Sequence, residues 1–160
     1  MFTDLIIGLI PGFIFFGFYN TGPSIIFASL LFSILPDIDF LIYHKSHPVN
    51  RFSHKHRRIL HLPLLYIPIG LSILYLFHTR TVFSISFLAL SLWHFVHDTF
   101  SLGYGVQWLF PLSKKQFFWG NTTNTSKKFF GKLYSDTPDN IDVHADMHGD
   151  DNWAGKSLFR

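Results

Sequence analysis

TVFSISFLALSLWHFVHDTF, residues 81–100, is an apolar segment that carries its ionisable side chains at one end only. A helix needs about 20 mostly apolar residues to cross the hydrocarbon core of a bilayer, and this segment meets that length. His94 and Asp98 are four residues apart, so on a helix they stack on one face, and His97 lies on the same side. The segment predicts a membrane helix that ends in a polar cluster.

Three further apolar runs precede this segment. They are residues 2–19, residues 62–78, and a run that starts at Pro23, is interrupted by Pro36-Asp37-Ile38-Asp39 and resumes to Tyr43. The turn signal Asn20-Thr21-Gly22-Pro23 separates the run 2–19 from the run that starts at Pro23. We therefore expect an all-α fold, a polytopic membrane helix bundle of about four transmembrane helices.

The composition agrees with a membrane class. Hydrophobic residues make up 48% of the 160 residues and charged residues only 14%, whereas a soluble domain carries about 25% charged residues. The chain has no cysteine, which excludes disulfide frameworks, cysteine-based zinc sites and thiol nucleophiles. Although the pI is near 9.2, we predict no nucleic-acid partner, because the basic residues flank apolar runs and form no separate basic domain.

The basic residues predict the orientation. Loop 44–61 contains five of them, while the turns at 19–23 and 78–80 hold only Arg80. After the last apolar run come Lys114, Lys115, Lys127, Lys128 and Lys132. By the positive-inside rule, the middle loop and the C-terminus face the cytoplasm of a multi-pass inner-membrane protein. We divide the chain into a membrane helical domain, residues 1–120, and a polar cytoplasmic tail, residues 121–160.

This topology brings three distant clusters to one membrane face. Asp37 and Asp39 follow the second run, His56 and His61 precede the third, and His94 and Asp98 end the fourth. Ionisable groups at membrane depth are costly and usually functional. Because Pro36 disfavours helical geometry before it, we expect an opened, extended segment in which the two aspartates share a face.

Carboxylate oxygen and imidazole nitrogen suit a divalent metal, with zinc or manganese favoured and iron also compatible. The predicted ligands of one or two ions, or the residues that orient those ligands, are Asp37, Asp39, His56, His61, His94 and Asp98. The catalytic set would be Asp37, Asp39, His94 and Asp98, with one carboxylate acting as general base toward an activated water. Arg57 and Arg58 would bind an anionic substrate group.

Each cluster can also be explained by a structural role, without metal binding or catalysis. His94 and Asp98 alone could form a plain hydrogen-bonded pair, Asp37 and Asp39 could belong to a turn, and the HKHRR segment at 54–58 could be only a positive-inside anchor. The metal hypothesis depends on the three clusters meeting in space.

These motifs resemble the DUF457 family of small bacterial and archaeal inner-membrane proteins, described as metal-dependent hydrolases and in part as LexA-regulated. The resemblance covers residues 23–115 and includes Pro36-Asp37-Ile38-Asp39, His56-Arg57-Arg58-Ile59-Leu60-His61, His94-Phe95-Val96-His97-Asp98, and the stretch from Gly103 to Ser113. Many members have an early histidine as an additional ligand, where this chain has Asp4. Either Asp4 substitutes for it or the site has fewer ligands.

The resemblance implies a hydrolase, and the location at the headgroups favours membrane lipid as partner and a lipid or lipid-linked ester or phosphoester as substrate. Two alternatives remain open. The chain could transport metal ions or protons, which requires polar groups along the spans, or it could be a non-enzymatic membrane protein that recruits anionic lipid or a partner.

Overall fold

The described part of the chain forms a bundle of four helices followed by a small β-hairpin. The computed structural model describes residues 2–39, 60–100, 105–120 and 132–136. The helices are α1 (Phe2–Tyr19), α2 (Ser24–Ile34), α3 (Pro63–Leu76) and α4 (Thr81–Phe100), and a 3₁₀ turn, Leu35–Asp37, extends α2. The strands are β1 (Gln116–Gly120) and β2 (Lys132–Asp136).

Small residues set the distance between α1 and α2. A Cβ placed at Gly8 would lie 2.7 Å from Oγ of Ser33, and one at Gly12 would lie 3.0 Å from Cα of Ile26. The two helix backbones therefore approach more closely than larger side chains would allow, as is common in membrane helix pairs. The turn between them places Asn20 and Gly22 at positive φ, 47° and 72°.

The interior of the bundle mixes aromatic and hydroxyl side chains. Phe32, Phe87 and Leu90 form the apolar core, and the Phe87 ring packs directly over the position of Gly70, leaving no room there for a side chain. Ser29 of α2 and Ser86 of α4 share a buried hydrogen bond of 3.2 Å. The helices are thus held by close packing and by an interhelical hydroxyl contact.

One hydrogen bond defines the two ends of the bundle. Nη1 of Arg80 donates to the backbone oxygen of Asn20 at 3.2 Å, which joins the α1–α2 turn to the start of α4. The start of α1, the end of α2, the start of α3 and the end of α4 consequently lie at the opposite end. Asp37, Asp39, His61, His94 and Asp98 lie at that second end.

The hairpin was not predicted. β1 and β2 pair antiparallel, with Gln116 opposite Asp136 and Gly120 opposite Lys132, and Val106 makes an isolated antiparallel bridge to Phe117. Strands of five residues leave too short a pattern to distinguish from an aromatic loop. β2 belongs to the segment that we assigned to the tail, so residues 132–136 pair with the end of the helical domain.

The surface of the described residues is unusually apolar, and the interior unusually polar. Twelve polar or charged side chains are buried, against eight hydrophobic ones, while large exposed hydrophobic residues occur on every helix, including Ile6, Phe13, Phe27, Ile69, Ile73, Ile85 and Leu88. Within the described ranges, however, no helix reaches both the length and the apolarity that membrane crossing demands. The all-α bundle is confirmed for the helical part, and the prediction of about four transmembrane spans is not confirmed.

Candidate metal centre

A proline-initiated turn presents Asp37 to the centre of the bundle end. Pro36 lies in the first turn of the 3₁₀ helix Leu35–Asp37, where its missing N–H costs no hydrogen bond and its fixed φ suits the turn. Helical geometry continues through Ile38 and Asp39. The expected extended segment is therefore wrong: Asp37 and Asp39 leave a helical turn in different directions and reach two sides of the same imidazole.

The end of α4 supplies His94 and Asp98. The helix is continuous from Thr81 to Phe100, and both side chains are buried. Nε2 of His94 lies 3.8 Å from Oδ2 of Asp98, as the four-residue spacing predicts. The third element is His61, which is fully buried and stands two residues before Pro63, the first residue of α3.

Four ligand atoms from these elements converge. Nε2 of His61 lies 3.4 Å from Nε2 of His94 and 3.2 Å from Oδ2 of Asp98. Oδ1 of Asp37 lies 3.5 Å from Nε2 of His61 and 3.4 Å from Nε2 of His94. One ligand atom from each of the four residues lies within 4.8 Å of all the others.

These separations match a tetrahedral metal site. Ligands at about 2.0–2.1 Å from a zinc ion, placed at the corners of a tetrahedron, are about 3.3–3.4 Å apart. The five ligand–ligand distances above range from 3.2 to 3.8 Å. The residues present therefore fit a divalent ion held by His61, His94 and Asp98, with the Asp37 carboxylate at the edge of the fourth position.

Each histidine of the cluster also has a carboxylate behind it. Nδ1 of His61 donates to Oδ2 of Asp39 at 3.3 Å, and the same oxygen accepts the N–H of Leu60 at 3.1 Å. Nδ1 of His94 faces Oδ1 of Asp4 at 3.7 Å. A carboxylate on the far nitrogen fixes the ring and its tautomer, which is the usual second contact of a metal-binding histidine.

The charge of the cluster calls for a cation. Four buried or largely buried carboxylates, Asp4, Asp37, Asp39 and Asp98, surround two imidazoles. Burial by itself would lower the pKa of His61, but hydrogen bonds to three of these carboxylates, Asp37 first, raise the pKa to about 10. Burial would likewise raise the pKa of Asp37, yet hydrogen bonds to His61 and His94 hold it well below its ordinary range. When no metal is bound, a proton on His61 would supply part of this positive charge.

Asp37 is the ligand-forming residue of the cluster that is most exposed to solvent. Its side chain is 20% exposed, whereas that of His61 is 0% exposed and that of Asp98 is 7% exposed. A catalytic zinc site keeps one position for water beside three protein ligands. His61, His94 and Asp98 have the burial of permanent ligands, and water can approach beside Asp37.

Of the six ligands predicted from sequence, four lie together: Asp37, His61, His94 and Asp98. Asp39 is not among them but contacts Nδ1 of His61. His56 falls outside the described residues, as do Arg57 and Arg58. Sequence reasoning left His97 out of the site, although its Nδ1 lies 3.8 Å from Oδ1 of Asp4 and its ring stacks on Trp93. The three-residue spacing from His94 was the available signal.

Comparison with known proteins agrees with the family resemblance. A model of the family described as YdjM inner membrane protein matches residues 1–154. The chain therefore belongs to this family, which is the LexA-regulated, DUF457-like membrane family. No curated protein and no solved structure matches the chain.

Proposed function

We propose that the chain is a metal-dependent hydrolase of the inner membrane, acting on the ester or phosphoester of a lipid or lipid-linked substrate at the cytoplasmic interface. The observation that supports it is the convergence of Asp37, His61, His94 and Asp98, from three separate segments, with tetrahedral spacing. A divalent ion held there would supply a Lewis acid and would lower the pKa of a bound water toward neutrality.

We assign the role of each residue in the proposed reaction from how deeply its side chain is buried. His61, His94 and Asp98 would hold the ion, while Asp39 and Asp4 would fix the two imidazole rings from behind. Asp37, the more exposed carboxylate, would accept the proton of the attacking water as general base. Arg57 and Arg58 stay a prediction from sequence for the anionic group of the substrate.

The family and the surface together support an apolar environment for the bundle. Large contiguous apolar surfaces on a folded protein mark contact with a membrane or a partner, and here they extend over all four helices. We propose that the helices are embedded in the bilayer, with the Asp–His end at the cytoplasmic headgroups. Vesicle flotation of the purified chain, with a sodium carbonate wash, would test this placement; recovery in the washed supernatant would contradict it.

Transport of metal ions or protons is less well supported than hydrolysis. Within the described α1 to α4, the buried polar groups away from the Asp–His end are the hydroxyls of Ser29, Ser33, Ser86 and Ser91 and that of Tyr66. None of these hydroxyls ionises at neutral pH. The described part of the bundle therefore offers a site at one end and no chain of acids or histidines along the helices.

The direct experiment combines metal analysis with a hydrolysis assay. Detergent-purified chain, loaded with zinc or manganese and freed of excess metal, should retain about one or two ions per chain and release phosphate or fatty acid from mixed inner-membrane lipids. Asp37→Asn is the informative variant: it should retain the metal with reduced affinity and lose turnover. Equal hydrolysis by wild type and Asp37→Asn would contradict the assigned role.

A further inference from the structure

A second feature of the bundle end is an apolar cavity of about 370 Å³ that is largely open to the surface. It lies at the end of α4, where the chain after the helix folds back over the last turns. Its walls are Val96, Thr99, Phe100, Trp108, Leu109 and Phe117. On a helix, residues 96, 99 and 100 project away from the side of residues 94 and 98, so the cavity and the metal centre occupy opposite sides of the end of α4.

The polar atoms of the cavity wall already have partners. Nε1 of Trp108 donates to Oγ1 of Thr99 at 2.8 Å, and Oγ1 of Thr99 donates to the backbone oxygen of Phe95 at 2.8 Å. The remaining lining side chains are hydrocarbon. An occupant of this cavity would find dispersion contacts and no free hydrogen-bonding group, which selects an apolar ligand.

The cavity is separated from the metal centre by one layer of aromatic rings. The centroid of Trp108 lies 6.3 Å from that of Phe95. Phe95 in turn lies edge-on to both histidines of the metal centre, with its centroid 6.0 Å from those of His61 and His94. One side of this layer thus faces the polar cluster and the other faces the cavity.

The rim of the cavity merges with the apolar surface. Phe100 and Leu109 are about half exposed, and Leu112 is 83% exposed. Phe100 is one of the exposed hydrophobic residues of α4, and the chain belongs to a family described as inner membrane protein. A hydrocarbon chain could therefore enter from the bilayer without crossing water.

From these four observations we propose that the cavity binds one acyl chain of a membrane lipid. The binding itself does not require a metal. The assignment rests on the proposed function only where it names the substrate class, a lipid with a flexible chain.

Trp108 gives a direct readout of occupancy. We would use the full chain with Trp93, Trp119 and Trp153 changed to Phe, in dodecyl maltoside micelles, and add phosphatidylglycerol with brominated acyl chains, which quench a neighbouring tryptophan. The expected result is saturable quenching of Trp108 at a low mole fraction of lipid, reversed by unbrominated phosphatidylglycerol. Quenching that rises linearly with mole fraction and is not displaced would overturn the proposal.

Two variants make the test specific. Val96→Phe fills the cavity and should raise the half-saturating lipid fraction by about tenfold, whereas Ile85→Phe, on an exposed part of the same helix, should leave it unchanged. An equal effect of the two substitutions would also overturn the proposal. Circular dichroism of both variants checks that each is folded.

The chain in which Trp108 is the remaining tryptophan can also test lipid binding and metal binding independently of each other. His94→Ala should abolish metal retention and leave the saturable quenching intact. Loss of quenching in His94→Ala, with the helix content preserved, would show that the cavity is not an independent lipid site. Saturable quenching in a wild-type chain that retains no metal would support the acyl site and contradict the hydrolase.

Discussion

Nε2 of His61 and Nε2 of His94 face each other across 3.4 Å in the interior of the bundle end. The two histidines are separated by 33 positions in the chain, and each points its other ring nitrogen at a carboxylate. If each neutral imidazole keeps its proton on Nδ1, toward the carboxylate there, both Nε2 atoms carry lone pairs that face each other. A cation between them, a proton or a metal ion, resolves the conflict, and the two flanking carboxylates favour a divalent one.

Removing a ligand should remove the metal. We expect Asp98→Asn and His94→Ala to lower zinc retention to well below one ion per chain, because each leaves three or fewer charged or imidazole donors. Mass-spectrometric metal analysis after gel filtration measures this. His78→Ala, at the opposite end of the bundle, is the matched control and should retain wild-type metal; equal loss in the control would indicate adventitious binding.

Removing a supporting carboxylate should weaken the metal site without destroying it. Asp39→Asn keeps an oxygen that can accept the N–H groups of Leu60 and His61 but lacks the charge. Asp4→Asn removes the negative charge that faces Nδ1 of His94 at 3.7 Å. Substitutions of this kind typically cost about 10- to 100-fold in metal affinity. Competition with a chelator of known affinity measures the change. Unchanged affinity in both variants would show that the carboxylates do not support the imidazoles.

Metal binding should strengthen as pH rises. Carboxylates, Asp37 foremost, outweigh the effect of burial and raise the pKa of His61 from 6.5 to about 10 in the metal-free chain, so a metal must displace a proton there. One displaced proton predicts about a tenfold gain in affinity for each pH unit below that pKa. Titration calorimetry in buffers of different ionisation enthalpy would detect the released proton. A pH-independent affinity between pH 6.5 and 9 would contradict this assignment.

The same raised pKa affects the stability of the metal-free chain. Because the folded pKa of His61 exceeds the unfolded value of 6.5, its contribution is fully present below about pH 6.5 and is lost as pH rises through about 10. We expect the midpoint of thermal unfolding without metal to fall over this range, and to fall less in His61→Gln. A midpoint that rises with pH would be inconsistent with a protonated His61.

The approach of α1 to α2 should depend on Gly8. A Cβ at this position would meet Oγ of Ser33 at 2.7 Å and the backbone oxygen of Ser29 at 3.1 Å. Gly8→Ala should therefore destabilise the bundle by about 1–3 kcal/mol and shift Asp4, which lies one turn away. Gly17→Ala is the control in the same helix, because nothing lies within 4 Å of its Cβ. Chemical denaturation in detergent would compare the two.

The sequence predicted the parts of the site that follow from spacing within one element. The four-residue separation of His94 and Asp98 placed both on one face of α4, and the order of the apolar runs placed Asp37, His61 and Asp98 at one end of the bundle. The outward-facing apolar residues of the helices likewise agree with the composition. These features follow from helix periodicity and chain reversal alone.

Features that depend on local geometry between elements were not predictable. Pro36 permits either an opened strand or a 3₁₀ turn, and only the turn sends Asp37 and Asp39 to opposite nitrogens of His61. The burial of Asp4 depends on how closely Gly8 lets α1 approach α2, which no periodicity reveals. The β-hairpin joins two five-residue stretches across a segment outside the described residues, and neither stretch has a decisive pattern of its own.

X-ray absorption spectroscopy of the zinc-loaded, detergent-purified chain examines the coordination shell itself. We expect four nitrogen or oxygen scatterers at about 2.0 Å, with the multiple-scattering signature of two imidazoles, and the loss of one imidazole in His94→Ala. A shell of six oxygens without imidazole, or a spectrum that His94→Ala leaves unchanged, would show that His61 and His94 do not share a metal ion.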